Sequence, residues 1–288
     1  MSARLTASRR AVVVGSPGGS GFGSRFTPDR PESVRLPAML QNWCGISFLH
    51  WPCDPMLLQA RLPAGLAIDT FDQVAWVGLT PFHLTGLRSP FLPAVPWLSD
   101  FPEMNLRTYV RGPAGRGIWF FSLDAASAPA VLGARLTYGL PYHWASMRVR
   151  AAGRRVEYIS TRVGAGATIV VETGEPLTDP DDLALFLTER YWLYTQFLGY
   201  LAVAPVEHKP WPLHRATLVG LEETVRRAAD LPADDAPSLV HYSPGVHARV
   251  GWLRRLPSMT PKTDVQTHAR RTSWQERRRP KTRTPLPC

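Results

Sequence analysis

Lysine is almost missing from this chain. Of 33 basic side chains only Lys209, Lys262 and Lys281 are lysines, so the first 208 residues carry no side-chain amine. A lysine Schiff base is therefore excluded anywhere in that stretch. Cysteine is as scarce, at three in 288 residues. That number excludes a dense disulfide framework and favours a reducing compartment, so a cytoplasmic location is expected. No apolar run approaches the ~18 residues that a membrane-spanning helix needs, and no membrane partner is expected. The motifs of several chemistries are absent too: there is no G-x-S-x-G elbow, no P-loop, no EF-hand loop and no H-E-x-x-H pair. Cys44, His50 and Cys53 stand close together, but their spacing is not that of a zinc site and no fourth ligand accompanies them. Neither a metal nor a cofactor is expected.

Positive charge is plentiful but unevenly placed. The formal net charge is +10, divided as +4 over residues 1–35, −3 over 36–248 and +9 over 249–288. An acidic partner is thus indicated only for the ends. The run RRRPK at 277–281 suits weak, nonspecific contact with phosphates, and no nucleic-acid-binding motif accompanies it. Residues 1–36, rich in Gly, Pro and Arg, and residues 257–288, basic and without apolar periodicity, read as disordered tails around a single domain at 37–256. Ala11–Val14 followed by Gly15, Gly18 and Gly21 imitates a dinucleotide loop. Pro28 and Pro31 then oppose the helix that such a loop requires. Ser8-Arg9-Arg10 precedes only four apolar residues, too few for an export signal.

Between the tails the texture is that of a strand-rich domain, with short aromatic and β-branched runs separated by Gly, Pro and Asp. Strands are expected near 74–83, 103–111, 117–124, 139–150, 155–163, 167–173 and 245–253. Helices are expected after Asp54-Pro55, where Asp54 caps and Pro63 stops the run, and over 183–197, opened by acids at 179–182. In the latter Leu183, Phe186, Leu187, Tyr191 and Tyr194 follow helical spacing. A short exposed helix is expected at 221–230. The tryptophans, ten in all, are expected to pack in the core or to rim a pocket.

Strand 103–111 alternates cleanly. Glu103, Asn105, Arg107, Tyr109 and Arg111 share one face, and Met104, Leu106, Thr108 and Val110 the other. The polar face either meets water, as in an ordinary antiparallel sheet, or lines a cavity in a closed or half-closed barrel. In 117–124 both faces are apolar, which makes that strand central.

The runs FLHWPCDPMLLQARLPAGLAIDTFDQVAWVGLTPF (48–82), FPEMNLRTYV (101–110), GIWFFSLDA (117–125), GARLTYGLPYHWASM (133–147), LTERYWLYT (187–195) and KPWPLHRA (209–216) resemble the bacterial family called domain of unknown function 2071. That family is distantly similar to the acetoacetate decarboxylase-like superfamily. The resemblance implies a mainly β (α+β) fold, a β-barrel or cone with a few flanking helices, over about residues 40–256. It also implies a test of mechanism. The decarboxylases carry their Schiff-base lysine in a strand ending Pro-Lys-Lys; here Tyr142 and His143 follow Pro141 in that place. Their glutamate in a short Tyr-x-Glu motif has its counterpart in Phe101-Pro102-Glu103.

These readings converge on five residues. Arg107 could hold a carboxylate through paired hydrogen bonds, with Asn105 beside it as a second ligand-binding group. Glu103, Tyr142 and His143 are the candidate catalytic groups: Glu103 or His143 as a general base, Tyr142 as a donor to an oxyanion. Being adjacent on a strand, Tyr142 and His143 should face opposite ways, so at most one enters a cavity. The expected ligand is a small organic acid, and an enzyme built this way would be a lysine-independent lyase or isomerase working by acid–base means. Two other arrangements stay open: a buried Glu103–Arg107 ion pair, and a non-catalytic interaction module whose barrel interior is filled.

Overall fold

The structure, a computed structural model, describes residues 26–95 and 98–257. The glycine pattern at 15–21, the paired arginines at 9–10, Trp97 and the basic run at 277–281 lie outside the described residues.

The described chain runs β1 (Met39–Cys53), α1 (Pro55–Gln59), β2 (Ala67–Ile68), β3 (Ala75–Arg88), β4 (Phe101–Gly112), β5 (Gly115–Ala125), α2 (Ala128–Tyr138), β6 (Tyr142–Trp144), β7 (Ser146–Ala152), β8 (Arg155–Arg162) and β9 (Ala165–Pro176). It continues with α3 (Asp182–Thr188), β10 (Trp192–Phe197), β11 (Tyr200–His208), β12 (His214–Glu223), α4 (Val225–Ala228), β13 (Leu239–Val250) and β14 (Arg254–Arg255). The fold is thus mainly β with a few short helices. Strands β11, β10, β5, β4, β3, β1 and β13 follow one another in hydrogen-bonded order, and the pairing of β11 with β13 closes them into a ring. Every neighbour in that ring is antiparallel except β10 and β5, which run parallel. From β13 the sheet continues through β12, β9, β8 and β7 as a four-stranded arm.

The arm explains why both faces of β4 are buried. Met104 and Leu106, on the even face, pack with Leu49 and Leu79 of the ring and with Val156, Tyr158, Ile169 and Val171 of the arm. The odd face therefore points into the ring. From Glu103 to Tyr109 its polar side chains do not meet water, and for them the solvated-face alternative is overturned: Glu103, Asn105 and Arg107 are 4%, 8% and 7% exposed, and only Arg111 at the strand's end reaches solvent. On β5 a bulge between the pairs Leu106–Ser122 and Arg107–Phe120 inserts one residue. Strict alternation would set Leu123 against Ile118 and Phe120. The bulge re-aims it, so that all three face the interior.

Several expected elements differ. The helix expected over 183–197 stops at Thr188, and Trp192–Phe197 is strand β10, paired with β11. Helical spacing and buried-strand spacing coincide in this apolar run, and tertiary contacts decide between them. The carbonyls at the end of α3 are taken by side chains from elsewhere. Arg107 and Tyr109 donate to Leu187, Trp211 to Thr188, and Arg190 folds back onto Phe186. The expected helix at 221–230 shrinks to α4, because Leu221–Glu223 complete the ladder of β12 with β9. The expected strand at 139–150 begins only at Tyr142 and breaks at Ala145. Gly139, at φ 63°, is the left-handed cap of α2, a helix the sequence pattern did not reveal. Asp54 does cap α1, accepting from Met56 N–H.

Residues 26–35, part of the expected N-terminal tail, lie across the ring. Phe26 N–H donates to Asp182 and its ring meets Phe186 edge-on. Arg30 pairs with Glu189 and stacks over Tyr191, Val34 N–H donates to Glu207, and Arg249 donates to the Val34 carbonyl. No helix among the described residues is long and apolar enough to cross a membrane.

Candidate functional site

A partly open cavity of about 270 Å³ lies within the ring, so its interior is not filled. This volume is at the lower edge of ligand sites, which start near ~300 Å³. The wall is mostly apolar, with Phe82 and Leu84 of β3, Phe101 of β4, Ile118, Phe120 and Leu123 of β5, and Trp43 and Trp211 stacked at 5.9 Å. Polar groups enter from few directions. β4 supplies Glu103, Asn105 and Arg107, β6 supplies Tyr142, the turn after α3 supplies Arg190, and β11 supplies His208. No lysine lines it.

Glu103 and Arg107 do not pair with each other. Glu103 Oε1 accepts from the Tyr142 hydroxyl at 3.0 Å, and its Oε2 is buried without a partner. Burial pushes the Glu103 carboxyl up to about 7, against the pull of Tyr142 and Asn105, and the same burial with Glu103 alongside raises Tyr142 well above an ordinary phenol. Arg107 Nη2 donates to the Leu187 carbonyl at 3.1 Å, while its Nε has no partner. Asn105 Oδ1 is also unpartnered. Three successive inward side chains of one strand thus each hold a buried, unused polar atom. Behind Arg107, His50 Nε2 lies 2.6 Å from the Tyr109 hydroxyl, which donates to the same Leu187 carbonyl at 2.8 Å. With its proton committed to Leu187, that hydroxyl accepts from His50. The ring of His50 is therefore neutral with the proton on Nε2, as its pKa, lowered well below 6.5 by burial and by Arg107, requires.

Four of the five residues singled out from the sequence, Glu103, Asn105, Arg107 and Tyr142, line this cavity. His143 does not. Alternation along β6 turns it to the opposite side from Tyr142, where burial and Arg162 lower its pKa. Arg190 and His208 were not singled out. Arg190 Nη1 bonds Asp69 at 2.7 Å, the guanidinium lies 4.1 Å over the Phe186 ring, and Nη2 is buried and unpartnered. Its signal, an arginine between acidic and aromatic residues, was masked by the helical reading of that run. His208 donates from Nδ1 to the Lys209 carbonyl at 2.7 Å and stacks on Tyr191 at 4.6 Å. Cys44, His50 and Cys53 do not converge: His50 is bonded to Tyr109, and Cys44 contacts Thr85.

Residues 40–247 match the family model for domain of unknown function 2071, described as an uncharacterized conserved protein. The chain belongs to this family. Within the domain of unknown function 2071 family it is similar to the uncharacterized protein YqjF of Bacillus subtilis (strain 168), with 39% identity over 218 residues that span 74% of this chain and 89% of that protein. In three dimensions it resembles an acetoacetate decarboxylase-like enzyme from Sphingomonas wittichii RW1 (TM-score 0.58, 17% identity, 78% of this chain and 95% of that one). Acetoacetate decarboxylase of Legionella pneumophila aligns with the same TM-score, 14% identity, and 83% and 93% of the two chains. The enduracididine biosynthesis enzyme MppR, complexed with pyruvate, aligns at 0.58 with 13% identity, over 77% and 91%. At these identities the likeness is one of fold. The fold of this member of the domain of unknown function 2071 family is therefore acetoacetate decarboxylase-like.

Proposed function

We propose that the ring cavity binds a small organic acid, a carboxylate with an apolar body, in the reducing compartment that the low cysteine content favours. One observation carries the reading: the row Glu103, Asn105 and Arg107 lines the cavity with one unpartnered buried polar atom on each residue. An unsatisfied buried group costs about 1–3 kcal/mol, so a row of three is a standing expense unless a ligand meets it. Arg107 Nε and Arg190 Nη2 are cationic donors, which suit a carboxylate. The aromatic and aliphatic wall suits the rest of the ligand. A neighbour of the same fold, MppR, is complexed with pyruvate, itself a small acid.

If chemistry follows binding, it is lysine-independent. Tyr142 stands where the resemblance would put an amine, and its hydroxyl is bonded to Glu103. A carboxyl near neutral pKa can give a proton to a bound acid and take one back, which is lyase or isomerase work, and the phenol can donate to an oxygen that gains charge.

Thermal shift on the full chain with acetate, butyrate and benzoate tests the binding step. A ligand present at about 100 Kd raises stability by ~2.7 kcal/mol and moves the transition by several degrees. Arg107→Ala should weaken binding by roughly 30-fold or more, judged against that variant's own ligand-free transition. No shift with any acid, or shifts equal in the wild type and the variant, would remove the basis of this reading.

A further inference from the structure

We infer that the cavity takes up its organic anion together with a proton, which is received by Glu103. The inference rests on the reading of the cavity as a carboxylate site and adds a rule for when that site is loaded.

The charges around the cavity fix the balance. Arg190 bonds Asp69, a fully buried carboxylate 2.7 Å away that the more exposed Arg111 and Arg116 also share. Arg107 has no carboxylate against it, since its one hydrogen bond goes to a backbone carbonyl. Glu103 has no cation against it, since the groups that meet it, the Tyr142 phenol and the Asn105 amide, are neutral. Arg107 and an ionised Glu103 thus offset each other across the same cavity, two strand positions on either side of Asn105. A carboxylate that docks on Arg107 introduces a second negative charge beside Glu103 in a wall that is otherwise apolar. Two carboxylates in one such site do not both stay ionised. Protonation of Glu103 offsets the charge that the ligand brings, and it converts Oε2 from an orphan acceptor into a donor. That O–H has two acceptors to choose from, Asn105 Oδ1 or an oxygen of the ligand.

Among the described residues no other group facing the cavity offers the same change. Arg107 shares β4 with Glu103, and Arg190 follows α3; guanidinium groups remain charged throughout. Tyr142 on β6 lies well above 10, and burial holds Tyr138 on α2 at about 12. His208 on β11 is lowered below 6.5 by burial. The cavity-facing side chains of β1, β3, β5, β10 and β13 are apolar or, at Gln41 and Thr80, do not titrate. Between about pH 7 and pH 9, Glu103 is thus the cavity group whose charge changes.

The test uses the full chain and benzoate as the probe. Its dissociation constant should be flat below about pH 7 and should rise about tenfold per pH unit above it, because above that point the proton has to be acquired on binding. Calorimetry near pH 8 in two buffers of different ionisation enthalpy should count close to one proton taken up per benzoate. Glu103→Gln, neutral at every pH, should bind with no proton uptake and no slope. An affinity independent of pH, or a proton count near zero in the wild type, overturns the inference and leaves the carboxylate site standing when Arg107→Ala still weakens binding. Failure of benzoate to bind at any pH in this range overturns both. Because the wild-type proton count decides the matter, a Gln variant that failed to fold would not shelter the inference.

Discussion

Glu103 is the residue at which burial and chemistry conflict most directly. It is almost wholly inside the ring, is met only by the neutral side chains of Tyr142 and Asn105, and its carboxyl is pushed from 4.5 to about 7. A carboxyl whose folded pKa is raised binds its proton more tightly in the folded state than in the unfolded one. The folded state is therefore favoured while both states are protonated, below about pH 4.5. That advantage is lost as the pH rises through about 7. Glu103→Gln removes the titration and keeps the shape. The variant should match the wild type near pH 4 and, without ligand, exceed its stability near pH 8 by up to about 3 kcal/mol, the free-energy equivalent of the whole shift. Urea unfolding at the two pH values checks this. A variant no more stable than wild type at pH 8 would mean that the carboxylate is better satisfied than its contacts with Tyr142 and Asn105 indicate. A gain at pH 8 together with lost proton uptake on benzoate binding would mark Glu103 as a residue that lowers stability and serves the ligand.

At the scale of elements, the ring depends on one unusual joint, the parallel contact of β5 with β10 through the pairs Ile118–Leu193 and Trp119–Tyr194. Gly117 is what allows β10 to come this close. A β-carbon there would overlap the Trp192 carbonyl oxygen and come 2.8 Å from the Tyr194 ring. Gly117→Ala should therefore cost about 1–3 kcal/mol, seen as a lower urea midpoint, because the obstacle is backbone that cannot rotate away. A midpoint equal to wild type would show that β10 can retreat without loss. This joint also marks the limit of what the sequence makes legible. The polar row of β4 can be read from the chain because alternation is local, and so can the start of α1 from Asp54 and Pro55. The end of α3 cannot. The groups that stop it, Arg107, Tyr109 and Trp211, lie about 80 residues before it or more than 20 after it, and the apolar run itself fits either element. The same division holds within the site. Glu103, Asn105 and Arg107 share one strand and are found together, whereas Arg190 and His208 join them only once the ring closes. His143 passed the same local test as Tyr142, and the pleat of β6 separates them.

For the molecule as a whole, the question is whether the arm β12–β9–β8–β7 is a separable piece. It is continuous with the ring through the pairing of β12 and β13, and it covers the outer face of β4, opposite the cavity. Its attachment is also polar. Asp124 of β5, fully buried, accepts from Arg162 Nε at 2.7 Å and from the Ser160 hydroxyl at 3.0 Å, both on β8. Tyr158 of β8 is bonded to Ser47 and to the Gly45 carbonyl of β1. Peeling off the arm would uncover Leu79, Leu106 and Met104 and strand the Asp124 carboxylate, so arm and ring should unfold as one unit. The sequence supplies separate reporters for the two. Residues 146–176 and 214–223 contain no tryptophan, so fluorescence follows the ring and its flanks, while hydrogen exchange at β8 and β9 amides follows the arm. Asp124→Ala removes the anion that holds Arg162 and should lower stability by about 3 kcal/mol. Both reporters should move together by that amount, since the loss falls on a contact that belongs to neither part alone. If β8 and β9 exchanged early while fluorescence kept the wild-type transition, the arm would be an independent layer. The buried even face of β4 would then owe little to it, and the inward direction of Glu103, Asn105 and Arg107 would have to be explained by the ring itself.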